Sequence, residues 1–457
     1  VDPKIKEECG LFGVYNPPKE KEVVNFALHS LQHRGQDACG AAAWKNNKIE
    51  YFKDIGLVSE VFSKKENTDK IKNGDIKIGH VRYATTGINE RVNAHPFVFD
   101  EKGYKIAIVH NGNLVNSTNI RKELEEKNIE IISTSDTELI GHLFLLSTKN
   151  TIIEKLKEVC NKIEGAFSLL IIINGKLYAI RDKFAIRPFV IGKKKDSYFF
   201  ASELSALTIN DVRFFREVKP AEIVVIDQSG LNSHYYTSDT KTLPCSMEYI
   251  YFSRPDNVIN GVVVQEFRKE TGNKLAELFP IDADLVVPVP DSAISCALGF
   301  SETSKIPLEF GLIKNRYIAR SFIAPNQSER ERMVMAKLMA SYQVLEGKRI
   351  VLIDDSIVRG TTIQTIINLL KKAGTKEIHL RIGAPEFKFP AVYGIDVSSK
   401  SELISNNMHK DELAKHLGVN SLEFLPIKTL SEILNHQTLL TYFDGVYPTE
   451  NKGKIYE

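Results

Sequence analysis

The stretch RIVLIDDSIVRGTT, Arg349–Thr362, decides how the second half of this 457-residue chain folds. Arg349–Ile353 is an apolar strand. It delivers two adjacent carboxylates, Asp354 and Asp355, to its carboxyl end, where open α/β sheets bind ligands. Ser356, Gly360, Thr361 and Thr362 follow, offering hydroxyls and backbone N–H groups at a helix N-terminus. That is a cradle for phosphate. The paired carboxylates suit sugar hydroxyls or Mg²⁺, a cation that prefers oxygen ligands.

Outward from this stretch the pattern repeats. Ile363, Ile366, Ile367 and Leu370 mark one face of a helix, and Gly374 stops it. Ile378, Leu380 and Ile382 alternate as the next strand. Upstream, Ala283–Val289 is another apolar strand, running into Asp291 and Ser292, where a loop gripping pyrophosphate would sit. Strands separated by a helix predict an α/β parallel sheet. Gly311–Leu338 is rich in cations, among them Lys314, Arg316, Arg320, Arg330, Arg332 and Lys337. Such a segment is expected to act as a lid over an anionic substrate. The Arg349–Thr362 string resembles the phosphoribosyl-pyrophosphate (PRPP) motif of type I phosphoribosyltransferases.

The first half reads differently, as many short strands with turns: Gly10–Tyr15, Lys105–Val109, Ser168–Ile173 and Lys176–Ile180. Two helical patterns interrupt them, one through Val23, Val24, Ala27, Leu28 and Leu31. The other starts at Ser135 and Asp136, an N-cap before Leu139, Ile140 and Leu143. The change of character places a domain boundary in Thr237–Leu243. The expected division is 1–8 as a propeptide, 9–240 as the first domain and 241–457 as the second, with a helical C-terminal extension.

Bulk properties narrow the class. With 60 basic and 58 acidic residues the net charge is +2, which gives no electrostatic reason to expect nucleic acid or an anionic membrane as partner. No apolar run is long enough to span a membrane. The five cysteines (Cys9, Cys39, Cys160, Cys245 and Cys296) are scattered, without a C-x-x-C pair. A reducing, cytoplasmic setting is expected.

Cys9 opens the first strand behind the charged stretch Val1–Glu8. A lone free cysteine is most often a small buried residue. Here the surrounding motifs say otherwise: LQHRGQD (Leu31–Asp37), GHVRYATTG (Gly79–Gly87), HNGNLVN (His110–Asn116) and SDTE (Ser135–Glu138). A thiol nucleophile needs a base, and a free N-terminal amine serves, with a reference pKa of roughly 7.7–8.0. Removing Val1–Glu8 would create it. Asn111 and Gly112, in a strand-to-turn HNGN, would supply an oxyanion hole from a side-chain amide and a backbone N–H. Arg82 would clamp the carboxylate of a free amino acid, and Asp136 its ammonium.

Together these motifs, with EYIYFSRPD (Glu248–Asp256), resemble the glutamine phosphoribosylpyrophosphate amidotransferase family over nearly the whole chain. The first half alone fits any N-terminal-nucleophile glutaminase, including glucosamine-phosphate synthase; the PRPP motif excludes that choice. The resemblance implies an α+β sandwich of αββα layers, then a phosphoribosyltransferase domain. It implies glutamine hydrolysis at Cys9, passage of ammonia through an internal channel, and displacement of pyrophosphate from PRPP to give 5-phosphoribosylamine, the first step of de novo purine synthesis. Thr85 joins Arg82 and Asp136 around glutamine. Asp291, Ser292, Asp354, Asp355, Ser356, Arg359, Gly360, Thr361 and Thr362 hold PRPP, and Ser292, Asp354 and Asp355 lie near its Mg²⁺. Lys314, Arg316 and Lys337 belong to the lid. Purine nucleotides are expected as feedback inhibitors, and a homodimer or homotetramer as the assembly.

Departures from the family are informative. One branch holds a [4Fe–4S] cluster through four cysteines. Only Cys245 stands at such a position here, with Ala391, Leu439 and Tyr442 at the others, so no cluster is expected. Ala185 and Ala221 replace glycines at two turns, and Met335 replaces a usually basic lid residue. Two rival readings are an ammonia-only form with an unprocessed N-terminus and a non-catalytic PRPP or nucleotide sensor. Cys9, Arg82, Asn111 and Asp136 weigh against the sensor.

Overall fold

A computed structural model describes residues 9–18, 22–83, 90–315, 338–390, 392–394 and 399–450. Val1–Glu8, Thr85, Arg316, Lys337, the other lid cations from Arg320 to Arg332, Met335 and Ala391 lie outside the described residues.

Thirteen strands of the first half form two antiparallel sheets. One runs β11 (Arg213–Glu217), β9 (Val190–Lys194), β10 (Ser197–Ala201), β1 (Gly10–Tyr15), β4 (Ile76–Arg82), β2 (Ala38–Lys45), β3 (Lys48–Ile55). The other runs β13 (Gly230–Tyr235), β12 (Glu222–Asp227), β8 (Lys176–Arg181), β7 (Gly165–Ile173), β6 (Tyr104–Leu114), β5 (Phe97–Glu101). Strand alternation sends successive side chains to opposite faces. Leu11 of β1 therefore meets Leu170 and Ile172 of β7 between the sheets. Phe12 and Val14 turn outward to Val24, Ala27 and Leu28 of the helix Val23–Ser30. On the far side Leu169, Ile171 and Ile173 of β7 pack with Leu139, Ile140 and Leu143 of the helix Asp136–Leu146. The result is the expected αββα sandwich. Because β1 is covered on both faces, its apolar run does not alternate with polar residues.

HNGN departs from the strand-to-turn expectation. It stays inside β6, with Asn111 opposite Ser168 and Gly112 opposite Phe167. Gly112 has φ +146°, and a Cβ there would lie 1.9 Å from the Ala166 carbonyl oxygen. Glycine bends the strand where any other residue would collide.

After a short hairpin (β14, Val258–Ile259; β15, Val262–Val263), the second half builds a parallel sheet. Its order is β16 (Leu285–Pro288), β19 (Arg349–Asp354), β20 (Glu377–Ile382), β21 (Ser421–Phe424). Between β16 and β19, β17 (Leu312–Lys314) pairs antiparallel with β18 (Leu338–Ala340), joining the two ends of the basic segment. The helix Thr361–Lys372 buries Ile363, Ile366, Ile367 and Leu370, as its spacing predicts.

The halves share one core. Val115, Ala166 and Ile186 of the first half pack in the same apolar cluster as Cys245, Met247 and Tyr249 of the second. Asn113 Nδ2 donates to the Val392 carbonyl at 2.8 Å, and Arg187 Nη2 donates to the carbonyl of Tyr393.

Candidate active sites

β1 and β4 are neighbours with Gly10 opposite Val81, which sets Cys9 beside Arg82. Cys9 is half-buried, its Sγ 3.9 Å from the Tyr83 carbonyl oxygen. Burial pushes its thiol above the ordinary value, with Arg82 opposing. Such a thiol requires a nearby base to become a nucleophile. Arg82 itself is buried at the end of β4. The backbone behind it is fixed by the LQHRGQD loop: Asp37 N–H donates to the Arg82 carbonyl at 3.0 Å. A Cβ on Gly35 would lie 2.6 Å from the Val81 carbonyl carbon, so the loop packs directly on that backbone.

Asn111 is fully buried and its Nδ2 lies 3.4 Å from Ser202 Oγ, which also accepts from Leu11 N–H at 3.1 Å. Ser202 thus ties the oxyanion candidate to the strand that Cys9 opens. Asn111 Oδ1 is buried without a partner among the described residues. Asp136 heads its helix behind the cap Ser135. Burial pushes its carboxyl up, but His110, the Leu114 N–H and the Thr137 hydroxyl outweigh this and hold it below the usual range. Behind these residues His80 and His95 stack with ring centroids 4.1 Å apart, and His80 Nε2 lies 2.8 Å from the His110 carbonyl oxygen.

Sequence reasoning missed Arg34, Ser202, Glu203 and Glu248. Arg34 stands in LQHRGQD, a motif that by itself gives it no role. Its buried partners Glu203 and Glu248 are far along the chain, and no local spacing reveals such a pairing.

In the second half, Val289 N–H donates to the Ile353 carbonyl at 2.9 Å, bringing the Asp291–Ser292 loop beside Asp354. Asp354 and Asp355 are both buried and line an open cleft with Tyr251, Ser356, Ile357, Val358, Arg359, Gly360, Thr362 and Ile363. Gly360 has φ +77°, and a Cβ there would meet the Ile404 side chain at 2.4 Å. Thr362 Oγ1 is buried with no partner among the described residues. Thr361 opens instead onto a neighbouring groove with Gln364 and Lys372. Arg359 Nε meets Glu402 at 2.9 Å. Asp291 is exposed and paired with Lys314 at 2.7 Å, so the first lid cation reaches the loop.

Two adjacent carboxylates and hydroxyls form an all-oxygen donor set that fits Mg²⁺ carried by a substrate. Among the described residues no group of three or more His, Cys, Asp or Glu is placed to hold a metal by itself. An iron–sulfur cluster does not fit. Cys245 is fully buried, its Sγ 3.0 Å from Tyr442 Oη, and Leu439 is bridged to its backbone. One thiol cannot replace four. No helix among the described residues is long and apolar enough to cross a membrane.

A thiol beside an arginine and a cradle suited to a phosphorylated sugar mark a glutamine-dependent glycosyltransferase. Residues 80–209 match a glutamine amidotransferase domain family. The chain is 44% identical to the amidophosphoribosyltransferase of Methanocaldococcus jannaschii, over 97% of this chain and 98% of that protein. It is 42% identical to the Staphylococcus aureus enzyme of the same name, over 97% and 91%. The glutamine PRPP amidotransferase of B. subtilis, solved with ADP and GMP, superposes with a TM-score of 0.92 at 39% identity, covering 98% of this chain and 99% of that one. A structure described as the allosteric regulatory enzyme of purine biosynthesis gives 0.93, also at 39%, covering 98% of each chain. The chain belongs to the amidophosphoribosyltransferase family.

Proposed function

We propose that this enzyme hydrolyses glutamine at Cys9 and transfers the ammonia to PRPP, yielding glutamate, pyrophosphate and 5-phosphoribosylamine. The observation that carries this reading is the pairing, in one chain with one core, of Cys9 beside Arg82 and of the Asp354–Thr362 cradle. Arg82 and Asp136 hold the two charged ends of glutamine, together with Thr85. The Cys9 amine takes the thiol proton, and the thiolate attacks the side-chain amide carbon. Asn111 Nδ2 and Gly112 N–H stabilise the resulting oxyanion. Collapse, with the Cys9 ammonium returning its proton to the leaving nitrogen, releases ammonia and leaves a γ-glutamyl thioester on Cys9, which water cleaves to glutamate.

At the second site Asp354 and Asp355 orient the ribose hydroxyls. Ser356, Gly360 and Thr362, with the backbone N–H of Thr361, bind the 5-phosphate, and Asp291 and Ser292 meet the pyrophosphate. Mg²⁺, held near Ser292, Asp354 and Asp355, would supply charge neutralisation for the departing pyrophosphate. Lys314 adds positive charge beside Asp291, and Arg316 and Lys337 belong to the same basic segment of the sequence. Ammonia is mostly protonated in neutral water, so a dry path between the sites keeps it nucleophilic. Purine nucleotides, bound by the B. subtilis relative, act here as feedback inhibitors. The division at residue 240, a cytoplasmic location and a homo-oligomeric state complete the proposal.

The amine of Cys9 is available only when Val1–Glu8 have been removed. Intact mass of the purified enzyme, read beside pyrophosphate release from PRPP, is the test. Protein starting at Cys9 is expected to release pyrophosphate with glutamine or with ammonia. Glutamine-driven turnover by protein that retains Val1–Glu8 would refute the amine's role.

A further inference from the structure

Glu248 belongs to the second half, on the helical turn Glu248–Phe252, and is fully buried. Its Oε1 accepts from Arg34 Nη2 at 2.6 Å and Arg187 Nη1 at 3.4 Å. Its Oε2 accepts from Arg34 Nη1 at 3.0 Å and Ser253 Oγ at 2.7 Å. Arg34 is 1% exposed. Besides Glu248 it meets Glu203 at 2.6 Å, and its Nε donates to the main-chain carbonyl of Cys9 at 3.3 Å. A guanidinium is a rigid planar fork. One edge of this one grips a carboxylate of the second half, and its Nε holds the residue that carries the thiol.

The turn bearing Glu248 is fixed from behind as well. Arg268 Nε donates to the Tyr249 carbonyl and its Nη2 to the Ser253 carbonyl, each at 2.8 Å. Tyr251 on the same turn lines the Asp354–Asp355 cleft. Glu248 is thus seated between the cleft wall and the Cys9 backbone.

We infer that Glu248 is a positioning residue for the Cys9 nucleophile, acting across the two halves through Arg34. The inference rests on the reading of Cys9 as nucleophile. A buried ion cluster that only binds the halves together would affect both reactions alike, whereas positioning acts on the glutamine reaction alone, where small misplacements are costly.

The test is Glu248→Gln, which keeps the shape and removes the charge. Its kcat with glutamine is expected to fall at least about tenfold more than its kcat with ammonia. Alkylation of Cys9 by iodoacetamide, which reads the thiol without glutamine, is expected to slow in step. Equal loss of both activities, or loss of neither, overturns the inference. Should Glu248→Gln fail to fold, Ser253→Ala removes one donor to Glu248 while keeping the ion pair. It is expected to shift the same ratio by roughly threefold, and an unshifted ratio refutes the proposal. Cys9→Ser separates the two readings: glutamine turnover surviving in it would discard the nucleophile assignment itself.

Discussion

Asp136 accepts the backbone N–H of Leu114 at 2.9 Å, so the carboxylate proposed to hold the glutamine ammonium also pins the end of the strand carrying Asn111 and Gly112. Removing its charge should therefore harm both binding and chemistry. Asp136→Asn keeps the size of the side chain. We expect the KM for glutamine to rise and kcat/KM to drop by about 100-fold, as for loss of a charge-assisted contact worth roughly 3 kcal/mol. Ammonia-driven synthesis is the control. A glutamine KM within twofold of the parent would remove Asp136 from the site.

Gly112→Ala is the sharper probe of the oxyanion hole. The methyl group has no room beside the Ala166 carbonyl, and the backbone at φ +146° disfavours it. The strand has to shift, carrying the N–H away from the reacting carbonyl. A loss of about 100- to 1,000-fold in glutamine kcat is expected, the range for deleting one such donor. Steady-state glutamate release measures it.

The stacked histidines set an acid limit. Burial holds His80 in the neutral form, its pKa lowered to about 3, and His95 well below its ordinary value. The unfolded chain takes up protons at these residues first. Stability is therefore full above roughly pH 6.5 and declines as pH falls towards the folded value. For His80 alone the loss by pH 5 is about 2 kcal/mol, at 1.36 kcal/mol per unit. Urea midpoints measured between pH 7.5 and 4.5 should fall steadily; a flat profile would contradict the buried, neutral assignment.

Thr362 Oγ1 is buried at the cleft and has no partner among the described residues. Thr362→Val keeps the shape and deletes the hydroxyl. Folding should be unaffected or slightly favoured, because an unsatisfied group disappears. The KM for PRPP should rise roughly tenfold if the hydroxyl meets phosphate. An unchanged KM, in ammonia-driven assays, would exclude Thr362 from the cradle.

Tyr442→Phe tests the thiol contact at Cys245. Among the described residues the hydroxyl meets only a sulfur, at 3.0 Å in a fully buried setting. The expected cost is about 1 kcal/mol in a denaturation midpoint, with both activities retained. Metal analysis of the parent enzyme should find no iron.

Much of this was legible in the sequence because strand and helix periodicity are local. The cradle at Arg349–Thr362 reads directly, since strand, acids, hydroxyls and helix start are contiguous. The helix cap at Ser135 reads for the same reason. HNGN reads as a strand running into a turn because Gly and Asn commonly make turns; its pairing with β7 keeps it extended. Arg34, Glu203 and Glu248 were silent because their meaning lies in contacts across the chain. Ala185 and Ala221, noted as substitutions at turns, do sit in left-handed backbone, at φ 53° and 56°.

The shared core has a consequence for synthesis on the ribosome. Val115, Ala166 and Ile186 emerge early, yet they belong to a core that also contains Leu439 and Tyr442 near the end of the chain. Asn113, beside the oxyanion strand's Gly112, also waits for Val392. A nascent first half therefore presents an uncovered apolar face until translation is nearly complete. Its hydrolase would mature only after the acceptor site exists, so no ammonia would be set free before there is a sugar site to receive it. A ribosome-stalled chain ending at residue 240 should bind a hydrophobic dye and lack glutaminase activity; full activity in that chain would show that the first half matures unaided.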